Sequence, residues 1–217
     1  MGSLQTFQDL IGPAAWTLLL AEGTLRSYHP GQTILRQGDT GGFVLALDHG
    51  RVKLLATAED GAQLLLTIRG AGHLLGELAG KAGRRTATVE ALDRCTAHYL
   101  SAVQLDRFLV KHGLAPVFHQ YVVGKFDQAV SRQVDLAHRS ARRRIARLLH
   151  DTVVVAPATA PHPMRVPFTQ EELAGSLGLA RSTVADQLTN LRASGALAPG
   201  PQLVVADLGR LAEAFRV

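Results

Sequence analysis

Apolar residues fall into two textures along this chain. Between positions 25 and 100 they come in short runs separated by Pro30-Gly31, Gly38-Asp39, Gly41-Gly42, His49-Gly50, Asp60-Gly61 and Gly70-Ala71-Gly72. Regularly spaced turn residues between short apolar runs predict an all-β barrel or sandwich, because each strand crosses one layer and reverses at a glycine or proline. The clearest strands cover 43–47, 51–55 and 63–68. Outside this region the spacing is helical. Phe7, Leu10, Ile11 and Trp16 suit one or two short helices over 4–22, broken at Pro13. Over 114–136, Val122, Phe126, Ala129, Gln133 and Leu136 recur at alternating spacings of four and three, which is a heptad seam. Val123, Val130, Val134 and Ala137 widen that face enough to cover both the barrel and a second helix, so the segment predicts a homodimer. A basic helix follows over 140–150 with Ile145, Leu148 and Leu149 inward. Pro157, Pro161, Pro163 and Pro167 then mark a loop, and a short helix over 208–215 closes the chain.

The densest pattern lies at 168–192. Thr169 offers an N-cap hydroxyl with Glu172 three residues on, a capping box that opens a helix carrying Leu173, Ala174 and Leu177 on one face. Gly178 ends it. A second helix starts near Arg181, with Ala180 an indifferent cap, and turns Val184, Leu188 and Leu191 toward the first. Arg181, Ser182, Asp186 and Thr189 are left on a free face, where the reading helix of a helix-turn-helix meets a major groove. Two short strands around Pro199-Gly200, within 197–205, would form a wing. A plain helical hairpin shares the glycine turn and the polar outer face, but it does not call for the wing. Thr169, Gln170, Arg181, Ser182, Thr183, Asp186 and Arg192 are therefore the candidate DNA-binding residues.

Charge placement agrees. Residues 1–137 hold 13 Lys/Arg against 12 Asp/Glu, whereas 138–217 hold 10 against 6, so most of the net +5 lies with the proposed reader. At 217 residues and 47% hydrophobic, the chain has room for two cores. The absence of a signal peptide and of a long apolar run predicts a cytoplasmic protein with no membrane partner. Cys95 is the single cysteine, expected to be a buried, inert thiol, and the nine histidines show no metal-ligand spacing. No metal site is expected.

One β-region stretch carries chemistry: the run from Gly72 to Ala79, then Arg84-Arg85-Thr86-Ala87-Thr88-Val89. Glycines let backbone N–H groups approach an anion, an arginine supplies a fork, and an acid accepts from hydroxyls. The dinucleotide fingerprint is not matched here, because the third glycine of Gly70-Ala71-Gly72-His73-Leu74-Leu75-Gly76 comes one residue late and a strand follows. No nucleophile elbow or triad motif occurs, so no enzyme is expected.

With both halves in view, the order β-barrel, long helix, winged helix resembles the cyclic-AMP receptor and fumarate–nitrate regulator (Crp/Fnr) family of bacterial transcription factors. The resemblance is carried by Gly76-Glu77-Leu78 with Arg85-Thr86-Ala87, and by Thr169-Gln170-Glu171-Glu172-Leu173-Ala174 leading to Arg181-Ser182-Thr183-Val184. It implies an α+β architecture. An effector-binding, cyclic-nucleotide-binding-like β-roll of the double-stranded jelly-roll type would occupy 1–112, a dimerisation helix 113–138, and a winged helix-turn-helix 139–217. It implies a homodimer on an inverted-repeat site in double-stranded DNA, working with RNA polymerase. It places effector contacts at Gly76, Glu77, Leu78, Arg85, Thr86, Ala129 and Val130, with dimer contacts at Val122, Phe126, Ala129, Gln133 and Leu136.

Departures from the cyclic-AMP receptor bear on the ligand. The cassette between Glu77 and Arg85 is two residues shorter, the adenine-holding Thr-Ser pair falls on Ala129 and Val130, and the Arg-Glu-Arg reading set becomes Arg181, Ser182 and Asp186. The cysteine cluster of the iron–sulfur branch is absent, while His73 beside the cassette leaves a haem ligand open. No cofactor is assigned with certainty. A cyclic nucleotide is a candidate, but cyclic AMP is not expected to be the tight, obligatory switch. The rival expectation is a nucleotide-binding module whose C-terminal helices dock a protein.

Overall fold

The computed structural model describes residues 5–78, 83–157 and 159–216. Helix α1 spans Phe7–Glu22, capped by Thr6 and Asp9 in a capping box and kinked at Gly12, whose φ of 80° leaves the helical region just before Pro13. Eight strands follow: β1 Thr24–Tyr28, β2 Thr33–Leu35, β3 Phe43–His49, β4 Val52–Thr57, β5 Gln63–Arg69, β6 Leu74–Leu75, β7 Thr88–Ala91 and β8 Cys95–Ser101. They form two antiparallel four-stranded sheets, ordered β1-β8-β3-β6 and β2-β7-β4-β5. Leu45, Leu47, Val52, Leu75, Val89 and Ala97 from both sheets make the core between them. Cys95 is buried there, and burial pushes its thiol up to about 12, as expected of an inert cysteine.

The other helices are α2 Ala102–Lys111, α3 Ala115–His138, α4 Ala141–Val154, α5 Gln170–Leu177, α6 Arg181–Ala193 and α7 Leu208–Arg216. The second face of the first sheet is covered by α1, α2 and the start of α3, which bury Val44, Ala46 and Leu100 against Phe7, Trp16 and Phe108. Both faces of β3 are thus buried, and this is why Val44-Leu45-Ala46-Leu47 reads as a continuous apolar run and does not alternate. The second sheet is covered differently. Leu55, Leu65 and Ile68 share a core with Ile145, Leu149, Leu173 and Leu188 of the C-terminal helices.

That junction is pinned by Arg51. Its side chain is buried, holds Asp93 through two nitrogens at 2.6 and 2.9 Å, and donates to the carbonyls of Thr152 and Arg165 at 3.0 and 3.3 Å. A Cβ on Gly70 would collide with the Val155 carbonyl, so only glycine lets the strand end approach this closely. The proposed wing is smaller than two strands. Met164–Val166, Leu203–Val205 and Ala196–Ala198 are joined by the single bridges Arg165↔Val204 and Leu197↔Val205 and a few backbone hydrogen bonds. Proline at 199 and 201 shortens the pairing by removing donors.

Candidate functional site

Two faces of the molecule carry chemistry. The first is a cavity of about 120 Å³ between the second sheet, the cassette and α3. Leu35, Leu54, Leu75 and Val89 give it an apolar floor; Gly76, Glu77, Leu78, Arg85 and Thr86 form one wall, and Ala129 the helix side. Gly76 has φ +83° and lies so close to Arg85 that any Cβ would strike the guanidinium. Arg85 is oriented by three contacts: it donates to the carbonyls of Gly76 at 2.6 Å and Phe43 at 2.8 Å, and it stacks over the Phe43 ring at 4.3 Å. The shortened segment 79–82, including Ala79 of the cassette, lies outside the described residues.

The α3 side departs from what the sequence suggested. Val130 does not line the cavity; it faces outward, with 45% of its surface exposed. The cause is the helix's rotation. Tyr121, Lys125, Gln128 and Arg132, at spacings of four and three, turn a polar face toward the barrel. The exposed apolar stripe is accordingly Val123, Phe126, Val130 and Val134, with Gln133 and Ala137 beside it. Val122 and Leu136, read from spacing as seam residues, are half-buried against their own chain, and Ala129 borders the cavity. The exposed apolar stripe thus lies about one residue along from the heptad positions read from spacing.

The polar face forms a buried network that spacing arguments missed. Lys125 donates to Glu77 Oε1 at 2.5 Å and to the Leu74 carbonyl at 2.8 Å. Glu77, read as an acceptor for ligand hydroxyls, is therefore already paired on one oxygen. Burial lowers the Lys125 amine to about 8, against the opposing pull of Glu77. Tyr121 accepts from Leu74 N–H at 3.0 Å, which leaves its own proton for Nδ1 of His73 at 3.1 Å. His73 is buried, and burial together with Arg69 and Lys125 holds its pKa well below the usual range. A haem-ligand role is not supported, since the ring is enclosed and bonded to Tyr121. The signal was present in the sequence: a lysine, a glutamine and an arginine repeat opposite the apolar stripe.

The second face is α6. Val184, Leu188 and Leu191 are fully buried, leaving Arg181, Ser182, Asp186, Thr189 and Asn190 exposed together and Thr183 half-exposed. Gly178 closes α5 in the left-handed region at φ 58°, and Ala180 offers no side-chain cap, both as the sequence suggested. Thr169 and Glu172 form the capping box, and Gln170 begins α5 in the open. Two predicted cations are less free than their sequence position implied. Arg181 pairs with Glu171 at the surface, and Arg192 is half-buried with Nε lacking a partner. Glu172 also reaches Lys53 of β4 at 3.8 Å, tying the start of α5 to the second sheet.

An antiparallel double sheet with a cradled arginine is joined by a long helix to a helix-turn-helix with a small wing, the build of a DNA-binding regulator with an N-terminal β-domain. Two family models match the chain, the cyclic nucleotide-binding domain over residues 25–112 and the Crp-like helix-turn-helix domain over 143–214. The transcriptional activator protein FnrL of Cereibacter sphaeroides is 29% identical over 203 residues, covering 87% of this chain and 79% of that protein. A CRP-like cAMP-activated global transcriptional regulator of Mycobacterium tuberculosis is 26% identical over 216 residues, covering 95% and 94%. The structure of FixK2 from Bradyrhizobium japonicum superposes with a TM-score of 0.75 at 19% identity, covering 90% and 98%. The chain belongs to the Crp/Fnr family and is a DNA-binding transcriptional regulator of that type.

Proposed function

We propose that the protein works as a homodimer on an inverted-repeat DNA site, reads bases with α6, and takes a small effector in the cavity between the cassette and α3. Its working parts are residues 1–112 for the effector, 113–138 for the dimer and 139–217 for DNA. The observation that carries this reading is α3. Its inward face is polar and its outward face apolar, with Phe126 69% exposed. Such a stripe, with Val123, Phe126, Val130 and Val134 at spacings of three, four and four, favours one occupant, the same stripe of a second copy, because each apolar knob then finds an apolar hole. A two-fold dimer sets two α6 helices for successive major grooves. Thr169, Gln170, Ser182 and Thr183 supply short polar groups, Arg181 a fork for guanine, and Asp186 an acceptor for a cytosine amino group or a neighbouring arginine. Arg192 would support the backbone contact.

Within the cavity, Gly76, Leu78, Arg85 and Thr86 border the space a cyclic phosphate would need. Ala129 offers no hydrogen bond to a base, Val130 points away, and Glu77 is engaged by Lys125. Cyclic AMP as the obligatory switch is therefore disfavoured. Sedimentation combined with a salt series of operator binding tests the reading. The expected result is a dimer whose log affinity falls linearly with log salt through counterion release. A monomer, or binding to DNA indifferent to salt, would count against it and favour a protein-docking role for the C-terminal helices.

A further inference from the structure

The cavity wall carries more positive charge than its internal pairing accounts for. Arg69, Arg85, Lys125 and Arg132 line it against a single acid, Glu77. The two acids whose charge is felt at Arg69 are committed elsewhere, Glu77 to Lys125 at 2.5 Å and Asp151 to Arg132 at 2.9 Å. Arg69 itself is only 5% exposed, and its Nε has no partner among the described residues. Burial lowers its pKa only to about 10, so it stays charged at neutral pH. A buried charge without a partner is costly, and it is retained most readily where something else supplies the counter-charge. Arg132 Nε is a second unpartnered donor on the same wall, while Glu77 Oε2 and Gln128 Oε1 are unpartnered acceptors. A ligand that satisfied all four would bring an oxyanion for the cations and a hydroxyl for the acceptors.

We propose that Arg69, Lys125 and Arg132 form an oxyanion subsite on the α3 side of the cavity, separate from the Arg85-Thr86 cradle, for a small hydroxylated organic anion. The inference rests on the reading of the cavity as an effector site and names the class of effector. Size agrees: a cavity of about 150 Å³ holds a benzene ring, and at about 120 Å³ this one suits a four-carbon hydroxy-dicarboxylate better than a nucleotide. Its two ends would meet the two cationic walls, and its short carbon frame would lie over Leu35, Leu75 and Val89. Because Lys125 and Arg132 sit on α3, such a ligand would bear directly on the dimer helix.

The test is calorimetric titration of the full-length protein, its Arg69→Met and Arg69→Lys variants, with malate, succinate, inorganic phosphate and cyclic AMP. Malate should bind more tightly than succinate, and Arg69→Met should weaken malate binding at least about tenfold, the worth of a charge-assisted hydrogen bond. Arg69→Lys should fall between, keeping the charge but losing the planar fork. Without any anion, Arg69→Met should melt higher than the wild type, because an uncompensated buried charge is removed. The proposal is overturned if Arg69→Met binds malate as well as the wild type does, or melts lower without anion. Cyclic AMP binding in the absence of any response to the three anions would overturn the subsite and leave the effector cavity standing. Binding of none of the four would remove both.

Discussion

The proton balance at His73 follows from its surroundings. Burial, Arg69 and Lys125 keep the folded pKa well below 6.5, whereas an unfolded histidine takes up its proton near that value. Below pH 6.5 the unfolded state therefore binds the extra proton, and stability falls as pH drops, by about 1.4 kcal/mol per unit once the unfolded ring is charged. Melting curves between pH 7.5 and 5 should show this loss, and His73→Gln should flatten it; an unchanged slope would mean that His73 does not carry it. At the reading face, Arg181→Ala should cost about 1–3 kcal/mol on the preferred site and relax the preference at one position per half-site. Its pairing with Glu171 changes little, because both side chains are largely exposed and such pairs contribute about 0–1 kcal/mol. Residue roles set by local spacing were legible: Thr169, Gly178, Val184, Leu188 and Leu191 are where the sequence puts them. Arg69 was not, and Lys125 showed only as one member of a polar repeat, because the role of each comes from burial against groups far away in sequence.

Elements were read best where a single period dominates. The strands at 43–49, 52–57 and 63–69 and the two reading helices match their expected positions within about two residues. The long helix shows the limit of periodicity. Two faces, one polar and inward, the other apolar and outward, lie close enough in phase that residue types alone do not separate the exposed stripe from the heptad positions beside it. Helix α4 gives a second case. Its arginines look like DNA contacts in the charge count, yet Arg143 donates to the Phe215 carbonyl, Arg144 to the carbonyls of Leu136 and Leu177, and Arg147 pairs with Asp135. Much of the basic excess thus binds the fold itself. The corrected stripe makes a sharp prediction. Val130→Glu should drive the protein to monomer in sedimentation, since it places a charge at the stripe's centre, whereas the half-buried Leu136 should be much less sensitive to Leu136→Ala. Equal effects would return the seam to the position spacing suggested.

Across the whole molecule, the β-domain and the C-terminal helices are joined through the second sheet. Leu55, Leu65 and Ile68 share the reader's core, Lys53 reaches Glu172, and Arg51 bridges Asp93 to two carbonyls of the C-terminal half. No sequence pattern shows this, because each of these residues also suits an ordinary strand. Arg51→Met should cost about 2–3 kcal/mol, a charge-assisted contact set reduced for the partial exposure of Asp93. Denaturant unfolding would measure it, and a broadened or two-step transition is expected as the two halves lose their shared core; a single unshifted transition would show that the clamp does not join them.

In the proposed dimer, two copies of this chain place their α6 helices on one face, one helical turn apart. Selection of bound sequences from random duplex DNA measures that directly. The expected result is an inverted repeat whose half-sites are centred about 34 Å apart, each with a guanine contacted by Arg181. A direct repeat, an isolated half-site or no enrichment at any salt concentration would contradict it.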